Sequence, residues 1–261
     1  MNIQSAIIEG TNILKSKYIQ TAKLDTEILL AEVLGKDRKY ILLNNNKDLE
    51  AENLKYFQKL IKERSNCKPI AYLVKKKFFW NSEFFVTDDT LIPRPDTELI
   101  IEKILELTKH KNRMHILDIG VGSGCILLSI LKEKKNFYGT GIDISENCLN
   151  ISKINAKKLK VVARTKFCKT DVDKFSFGKY DLVVSNPPYI NQHDFKYLEK
   201  DVAKYEPRLA LDGGLDGLSE IRKVIKKSSE LIKKNGKFIL EIGFDQKNKV
   251  INLLKKEGFY I

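Results

Sequence analysis

Asn186, Pro187, Pro188 and Tyr189 follow directly on the apolar run "YDLVVS" and are the residues best suited to chemistry in this chain. The asparagine side chain offers one carbonyl acceptor, and the Pro187 carbonyl offers a second. Two fixed acceptors suit a planar –NH₂ group, and the Tyr189 ring can pack against the same plane. Proline disfavours the α conformation at the residue before it, so Asn186 is held extended before any ligand arrives. The nitrogen of an amide or aromatic amine is a poor nucleophile because its lone pair is delocalised. As it bonds to an electrophilic carbon, its N–H bonds gain positive charge, and acceptors already aimed at them strengthen most at that moment. Taken alone, the tetrapeptide also reads as a stiff turn with a packed tyrosine. Its position at the end of a strand favours the chemical reading.

A second cluster lies upstream. "LDIGVGSGC" places Asp118, Gly120, Val121, Gly122, Ser123 and Gly124 where a strand ends and a helix begins. Glycines let the backbone pass close to a ligand, and the helix N-terminus presents unpaired N–H groups. Asp143, at the end of the next strand, can accept hydrogen bonds from two ribose hydroxyls. Asp171, at the end of the third strand, stands where an exocyclic amine would be met. The spacing is G-x-G-x-G rather than the G-x-G-x-x-G of dinucleotide folds. A carboxylate at Asp118 suits an amino-bearing ligand better than a pyrophosphate, so S-adenosylmethionine is expected in preference to NAD. Tight packing of helix on strand is the alternative explanation of the glycines.

These residues need strand ends to stand on, and the pattern supplies them. From His115 onward apolar strands and amphipathic helices alternate, which implies α/β architecture: a mainly parallel sheet of the Rossmann-like kind, with helices on both faces. "HILDIG", "FYGTGIDIS", "TKFCKTDV", "YDLVVSN" and "KFILEIG" read as strands, and Ile126–Leu131, Leu149–Lys158 and Leu218–Ile232 as helices, the last ended by Asn235-Gly236. Residues 1–66 read as a small helical bundle, with Asp25 capping a helix that Gly35 stops. Residues 67–92 read as a β-hairpin linker turning at Asn81-Ser82, and residues 93–261 as the α/β domain. Pro95 and Asp96 open its first helix, with Leu99, Ile100, Ile104 and Leu105 as the apolar stripe. The stretch from Asn191 to Gly217 reads as a long loop with a short helix, and loops of that length are usually functional.

Composition narrows the function classes. Net charge is +13, with +3 in residues 1–90 and +10 in residues 91–261. A basic face can attract nucleic acid, but most of the basic residues are lysines spread singly over helix faces. No apolar run reaches the ~20 residues of a membrane span, and the N-terminus lacks the pattern of a signal peptide. Four scattered cysteines and three histidines give no zinc-binding pattern, so no metal is expected.

The chain resembles the N5-glutamine methyltransferases that modify peptide-chain release factors. The resemblance is carried by "KPIAYLVKKKFFW", "LIPRPDTELI", "LDIGVGSGCILLS", "GIDIS", "DLVVSNPPYI", "YEPRLALDGGLDGL" and "GKFILEIGFDQ". It implies a helical N-terminal domain that helps recognise the release factor, a hairpin linker and a seven-stranded methyltransferase domain. The implied substrate is the glutamine of a Gly-Gly-Gln loop in class 1 release factors, and the implied products are N5-methylglutamine and S-adenosylhomocysteine. Gly120 to Gly124 would cradle the methionine part, Asp143 the ribose, and Asp171-Val172 the adenine. Asn186 to Tyr189 would hold the glutamine amide, with Arg94 near the cofactor or in an ion pair that anchors its loop. A cytoplasmic monomer with no nucleic-acid substrate is implied. Three departures are visible. Lys75 and Asn81 stand where glycine is usual, with a locally different turn expected at Lys75. Val172 stands where an aromatic is common. The chain ends at "EGFYI", where the family continues through a final strand pair, so a shortened sheet with an exposed edge is expected. N-P-P-Y is shared with amino-methyltransferases of adenine and guanine in DNA or RNA, which stay open as the alternative, as does a non-catalytic cofactor-binding module.

Overall fold

The computed structural model describes residues 1–261. They divide into two compact units: Met1–Lys75 with Glu199–Tyr205, and Lys76–Leu198 with Glu206–Ile261. The first unit holds α1 (Ile3–Ser16), α2 (Ala22–Leu34), α3 (Arg38–Leu43), α4 (Ala51–Ser65) and α5 (Ile70–Val74). Ile3, Leu14, Leu29, Leu30, Phe57 and Ile61 meet in its core. Gly35 ends α2 with φ 60°, as the sequence predicts.

Asp25 does not cap α2. Thr21 holds that position, and Asp25 lies inside the helix, 3% exposed. Its Oδ2 accepts from Arg64 Nε on α4 at 2.7 Å and from the Thr21 hydroxyl at 2.8 Å. A carboxylate this deep takes a guanidinium in preference to a helix end, because burial without a cation is costly. Both members of the pair are largely buried, so Asp25→Ala strands the Arg64 charge and is expected to cost about 3–4 kcal/mol. Thermal unfolding of the full chain checks this, and a change under ~1 kcal/mol would mean the pair contributes nothing net.

The second unit opens with a hairpin of β1 (Lys76–Phe79) and β2 (Ser82–Phe85). Its turn is Trp80-Asn81, one residue earlier than the sequence suggests. Phe79 pairs with Ser82, and both turn residues have positive φ, 42° and 47°. That is the primed turn whose twist matches a hairpin. Lys75 takes φ 54°, the left-handed conformation that favours glycine, adopted here by a lysine.

After α6 (Glu98–Leu107) come β3 (His115–Ile119), α7 (Cys125–Glu133), β4 (Tyr138–Asp143), α8 (Glu146–Lys158), β5 (Thr165–Lys169) and β6 (Tyr180–Ser185). The helix α9 (Lys200–Tyr205) falls in the first unit, where the Tyr205 hydroxyl donates to the Asn66 carbonyl at 2.9 Å. The chain closes with α10 (Ser219–Leu231), β7 (Ile232–Leu240) and α11 (Lys247–Lys256). The α6 stripe runs through Ile100, Ile101 and Ile104, while Leu99 is 65% exposed. Leu99 precedes Ile101 by two residues, about 200° around the helix. α10 ends at Leu231 rather than at Asn235-Gly236. Asn235, at φ 63°, lies inside β7 where the pairing with β6 shifts register, the mark of a bulge.

All five strands are parallel, in the order β5-β4-β3-β6-β7, where the resemblance implies seven. Ile116, Leu182 and Val184 face one side with α6, α7 and α8. Leu117, Ile119 and Val183 face the other with α10. This is the period-2 alternation of strands covered on both faces. The chain steps outward from β3 to β5 and then returns to β6 beside β3. The loops leaving β3 and β6 diverge there and open a crevice at the carboxyl ends of the strands.

Candidate active site

A cavity of about 570 Å³ occupies that crevice, within the size range of small-ligand sites. Gly120, Val121, Gly122 and Ser123 line it from the β3–α7 turn, Asp143 from β4, and Asp171 and Val172 from the segment after β5. Asn186, Pro187 and Pro188 line it from the end of β6, and Arg94 and Thr97 from the segment before α6. Asp118, Gly124 and Tyr189 do not line it.

The glycine-rich turn is shaped from two sides. Asp143 Oδ2 accepts from Gly122 N at 2.9 Å, and its Oδ1 accepts from Ser145 N at 2.9 Å. On α8, the Ser152 hydroxyl donates to the Gly122 carbonyl at 2.8 Å, and Asn155 Nδ2 donates to the Ser123 carbonyl at 2.9 Å. Asn155 also exchanges two bonds with the Phe85 backbone, tying the hairpin to the same turn. Burial raises the Asp143 pKa, with those backbone donors pulling it back down. A carboxylate has about four acceptor positions, and the backbone donors do not take all of them. Gly124 begins α7 at φ 82°, and a Cβ there would sit 2.7 Å from Leu128. Its glycine serves helix packing.

Asp118 is 1% exposed, faces α7 and accepts from Leu127 N at 3.3 Å. Its Oδ1 is buried without a partner. Desolvation pushes its pKa up to about 7, with the Asp143 charge adding to the rise. The folded chain therefore holds a proton here that the unfolded chain has already lost above pH ~4. Stability falls as pH rises from about 4 toward 7 and levels off above that. Asp118→Asn is expected to flatten this part of the curve of thermal midpoint against pH. An unchanged curve would assign the fall to other groups.

The N-P-P-Y turn leaves β6 held at several points. Asn186 Nδ2 donates to the Thr97 hydroxyl oxygen at 3.3 Å. The Tyr189 ring packs beside Leu218, Ile221 and Ile225, and its hydroxyl donates to Glu241 Oε1 at 3.4 Å. The Tyr189 carbonyl accepts from Gln246 Nε2 at 3.0 Å. Ile190 N donates to Leu211 O at 3.0 Å, and Gly213 N to Ile190 O at 2.8 Å, so the "LALDGG" stretch runs as a short parallel bridge beside the turn. Gly217 sits at φ 72°, where a Cβ would lie 2.6 Å from the Tyr189 carbonyl; only glycine fits that approach. Arg94 forms an ion pair with the buried Glu206, and Ile92 N donates to Glu206 Oε2 at 3.3 Å. Arg94 thus both lines the cavity and anchors its loop.

Thr97, Ser152, Asn155, Glu241 and Gln246 escape a reading from sequence. Thr97, Glu241 and Gln246 fall within the stretches that carry the resemblance, but none has chemistry to announce it. Asn155, an asparagine on the apolar side of a helix, offers the clearest signal.

No helix is long and apolar enough to cross a membrane. Residues 95–216 match the family model described as "Methyltransferase small domain", and residues 5–74 that of "PrmC N-terminal domain". With the glycine-rich turn, the acid at the end of β4 and the asparagine at the end of β6, the parallel sheet defines a methyltransferase of the Rossmann-like class. A release factor glutamine methyltransferase from Clostridium acetobutylicum is 38% identical over 262 residues, covering 99% of this chain and 92% of its own. Those from Buchnera aphidicola subsp. Acyrthosiphon pisum and Clostridium botulinum are 38% and 39% identical, covering 100% and 99% of this chain and 92% and 93% of their own. The chain belongs to the release factor glutamine methyltransferase family.

Proposed function

We propose that this protein methylates the side-chain amide nitrogen (N5) of the glutamine in the Gly-Gly-Gln loop of class 1 release factors, in the cytoplasm, with S-adenosylmethionine as donor and S-adenosylhomocysteine as product. The observation that carries this reading is the Asn186 amide, tied at Nδ2 to Thr97 and set in the wall of the cavity that the glycine-rich turn and Asp143 also line. The residues present fit the donor. Asp143 is a carboxylate in the cavity wall with acceptor capacity left beyond its backbone donors, suited to ribose hydroxyls. Asp171 and Val172 stand beside it for the adenine, and the Gly120–Ser123 backbone faces the same space. When bound, S-adenosylmethionine supplies an electrophilic methyl carbon on a sulfonium.

The chain's own residues do the rest. Asn186 Oδ1 and the Pro187 carbonyl accept the two N–H bonds of the glutamine amide. Holding both hydrogens fixes the amide plane and turns the nitrogen lone pair toward the cavity. As the nitrogen gains a fourth bond its hydrogens become more positive, and both acceptors strengthen, which lowers the barrier. The nitrogen then releases one proton to solvent water and returns to a neutral amide. Pro188 keeps the turn rigid, and Tyr189 anchors its far end.

The test uses labelled S-adenosylmethionine, an unmodified release factor, and the same factor with its loop glutamine changed to alanine. Label is expected only on the unmodified factor. Equal label on both, or label confined to nuclease-sensitive material, would overturn the reading.

A further inference from the structure

Asn186 poses a question of orientation. A side-chain amide fits its pocket nearly as well with Oδ1 and Nδ2 exchanged. The exchanged form would point Nδ2–H at a substrate –NH₂, donor against donor, and the site would not work. Something must accept from Nδ2 and hold Oδ1 toward the substrate. That acceptor is Thr97 Oγ1. Thr97 is 2% exposed, so its own hydroxyl hydrogen needs a protein acceptor, and the carboxylate that its side chain acts on is Glu241. Glu241 follows β7, and its backbone N–H donates to the carbonyl of Ser185, the residue before Asn186, at 3.0 Å. Its Oε1 takes the Tyr189 hydroxyl, while Oε2 is buried with no hydrogen-bond partner, an acceptor left for the Thr97 hydroxyl hydrogen. Burial raises the Glu241 pKa, and the Thr97, Tyr189 and Asn186 side chains beside it pull it back down. Glu241 does not line the cavity.

We infer that Glu241 is a positioning residue for methyl transfer: as a carboxylate it draws the Thr97 hydroxyl hydrogen, which leaves Thr97 Oγ1 as acceptor for Asn186 Nδ2 and holds Asn186 Oδ1 toward the substrate amide. Through the Tyr189 hydroxyl it also pins the other end of the turn. The inference rests on the proposed reaction only in that the substrate presents an –NH₂ group. An uncharged acid at Glu241 could donate to Thr97 instead, and Thr97 could then donate to Asn186, reversing the chain and the amide. The three side chains come from the segment before α6, the end of β6 and the end of β7, so the orientation is set by tertiary packing rather than by the turn itself.

The test compares Glu241→Gln, Thr97→Val and Thr97→Ser with wild type. Methyl transfer to the release factor gives kcat and KM, and calorimetry gives S-adenosylmethionine affinity. Glu241→Gln and Thr97→Val are each expected to lower kcat about 10- to 100-fold, with KM and cofactor affinity within ~3-fold, as expected of interactions felt in the transition state. Thr97→Ser keeps the hydroxyl and is expected to stay within ~2-fold of wild type, and the Glu241→Gln/Thr97→Val double variant to lose little beyond either single, since both act through one contact. The inference is overturned if Glu241→Gln leaves kcat unchanged, if kcat and cofactor affinity fall together, or if Thr97→Ser is as poor as Thr97→Val. Wild-type label on nucleic acid alone would sink the glutamine reading, and the same variants, compared on that substrate, would still decide the role of Glu241. Wild-type protein that labels neither substrate overturns both.

Discussion

Asn186→Ala lowers the rate of methyl transfer by about 10²- to 10³-fold while cofactor affinity stays within ~3-fold, as for the loss of one preorganised group aimed at developing charge. The separation is expected because the two functions are carried by different elements. The glycine-rich turn, shaped by Asp143, Ser152 and Asn155, lines the side of the cavity proposed for the donor, and none of those contacts passes through Asn186. Asn186 stands at the end of the neighbouring strand, fixed extended by Pro187 and oriented by Thr97. Removing its side chain leaves the Pro187 carbonyl in place, so one of two acceptors survives and catalysis is weakened rather than abolished. Single-turnover transfer to a release factor, read beside calorimetric binding of S-adenosylmethionine, checks the prediction. If rate and affinity fell in step, Asn186 would be a cofactor ligand and the substrate amide would be held elsewhere.

The strand ends that matter were legible in the sequence because each is written in local terms. Pro187-Pro188 forces the chain off β6, Gly120 and Gly122 allow the turn after β3, and the period-2 runs around Leu117 and Val183 mark strands covered on both faces. Where reading failed, the cause was a partner far away in sequence. Asp25 looked like a cap because its true partner, Arg64, lies on another helix. Leu99 looked buried because it adjoins Ile100 in an apolar run, and only the packing of Ile101 in the core shows that the stripe continues on the other side of Ile100. Gln246 bridges Tyr189 and Gly217, and Glu241 meets Tyr189, through contacts no local pattern encodes. They also give "YEPRLALDGGLDGL" and "EIGFDQ" a physical role: these stretches are the scaffold of the N-P-P-Y turn.

Arg94→Ala is expected to destabilise the protein by about 2–3 kcal/mol and to weaken ligand binding at the same time. Its partner Glu206 has a side chain only 1% exposed, whereas the Arg94 side chain is 37% exposed. The Coulomb attraction is therefore discounted by solvent on the arginine side. The carboxylate has less relief of this kind: remove the guanidinium and a buried negative charge loses the ion pair with Arg94. The expected signs follow. Glu206→Gln keeps an oxygen for the Ile92 N–H and removes the charge, so alone it costs less than Arg94→Ala. The Arg94→Ala/Glu206→Gln double variant is expected to be more stable than Arg94→Ala alone, because the buried charge has gone. Thermal unfolding of the three variants decides this, and a double variant less stable than Arg94→Ala would mean the arginine acts through packing of its stem. Binding separates the other contribution. Arg94 lines the cavity, while Glu206 does not. If Arg94 serves only to anchor its loop, both single variants weaken S-adenosylmethionine in proportion to their effect on stability. A loss of affinity in Arg94→Ala that Glu206→Gln does not share places the guanidinium against the ligand itself.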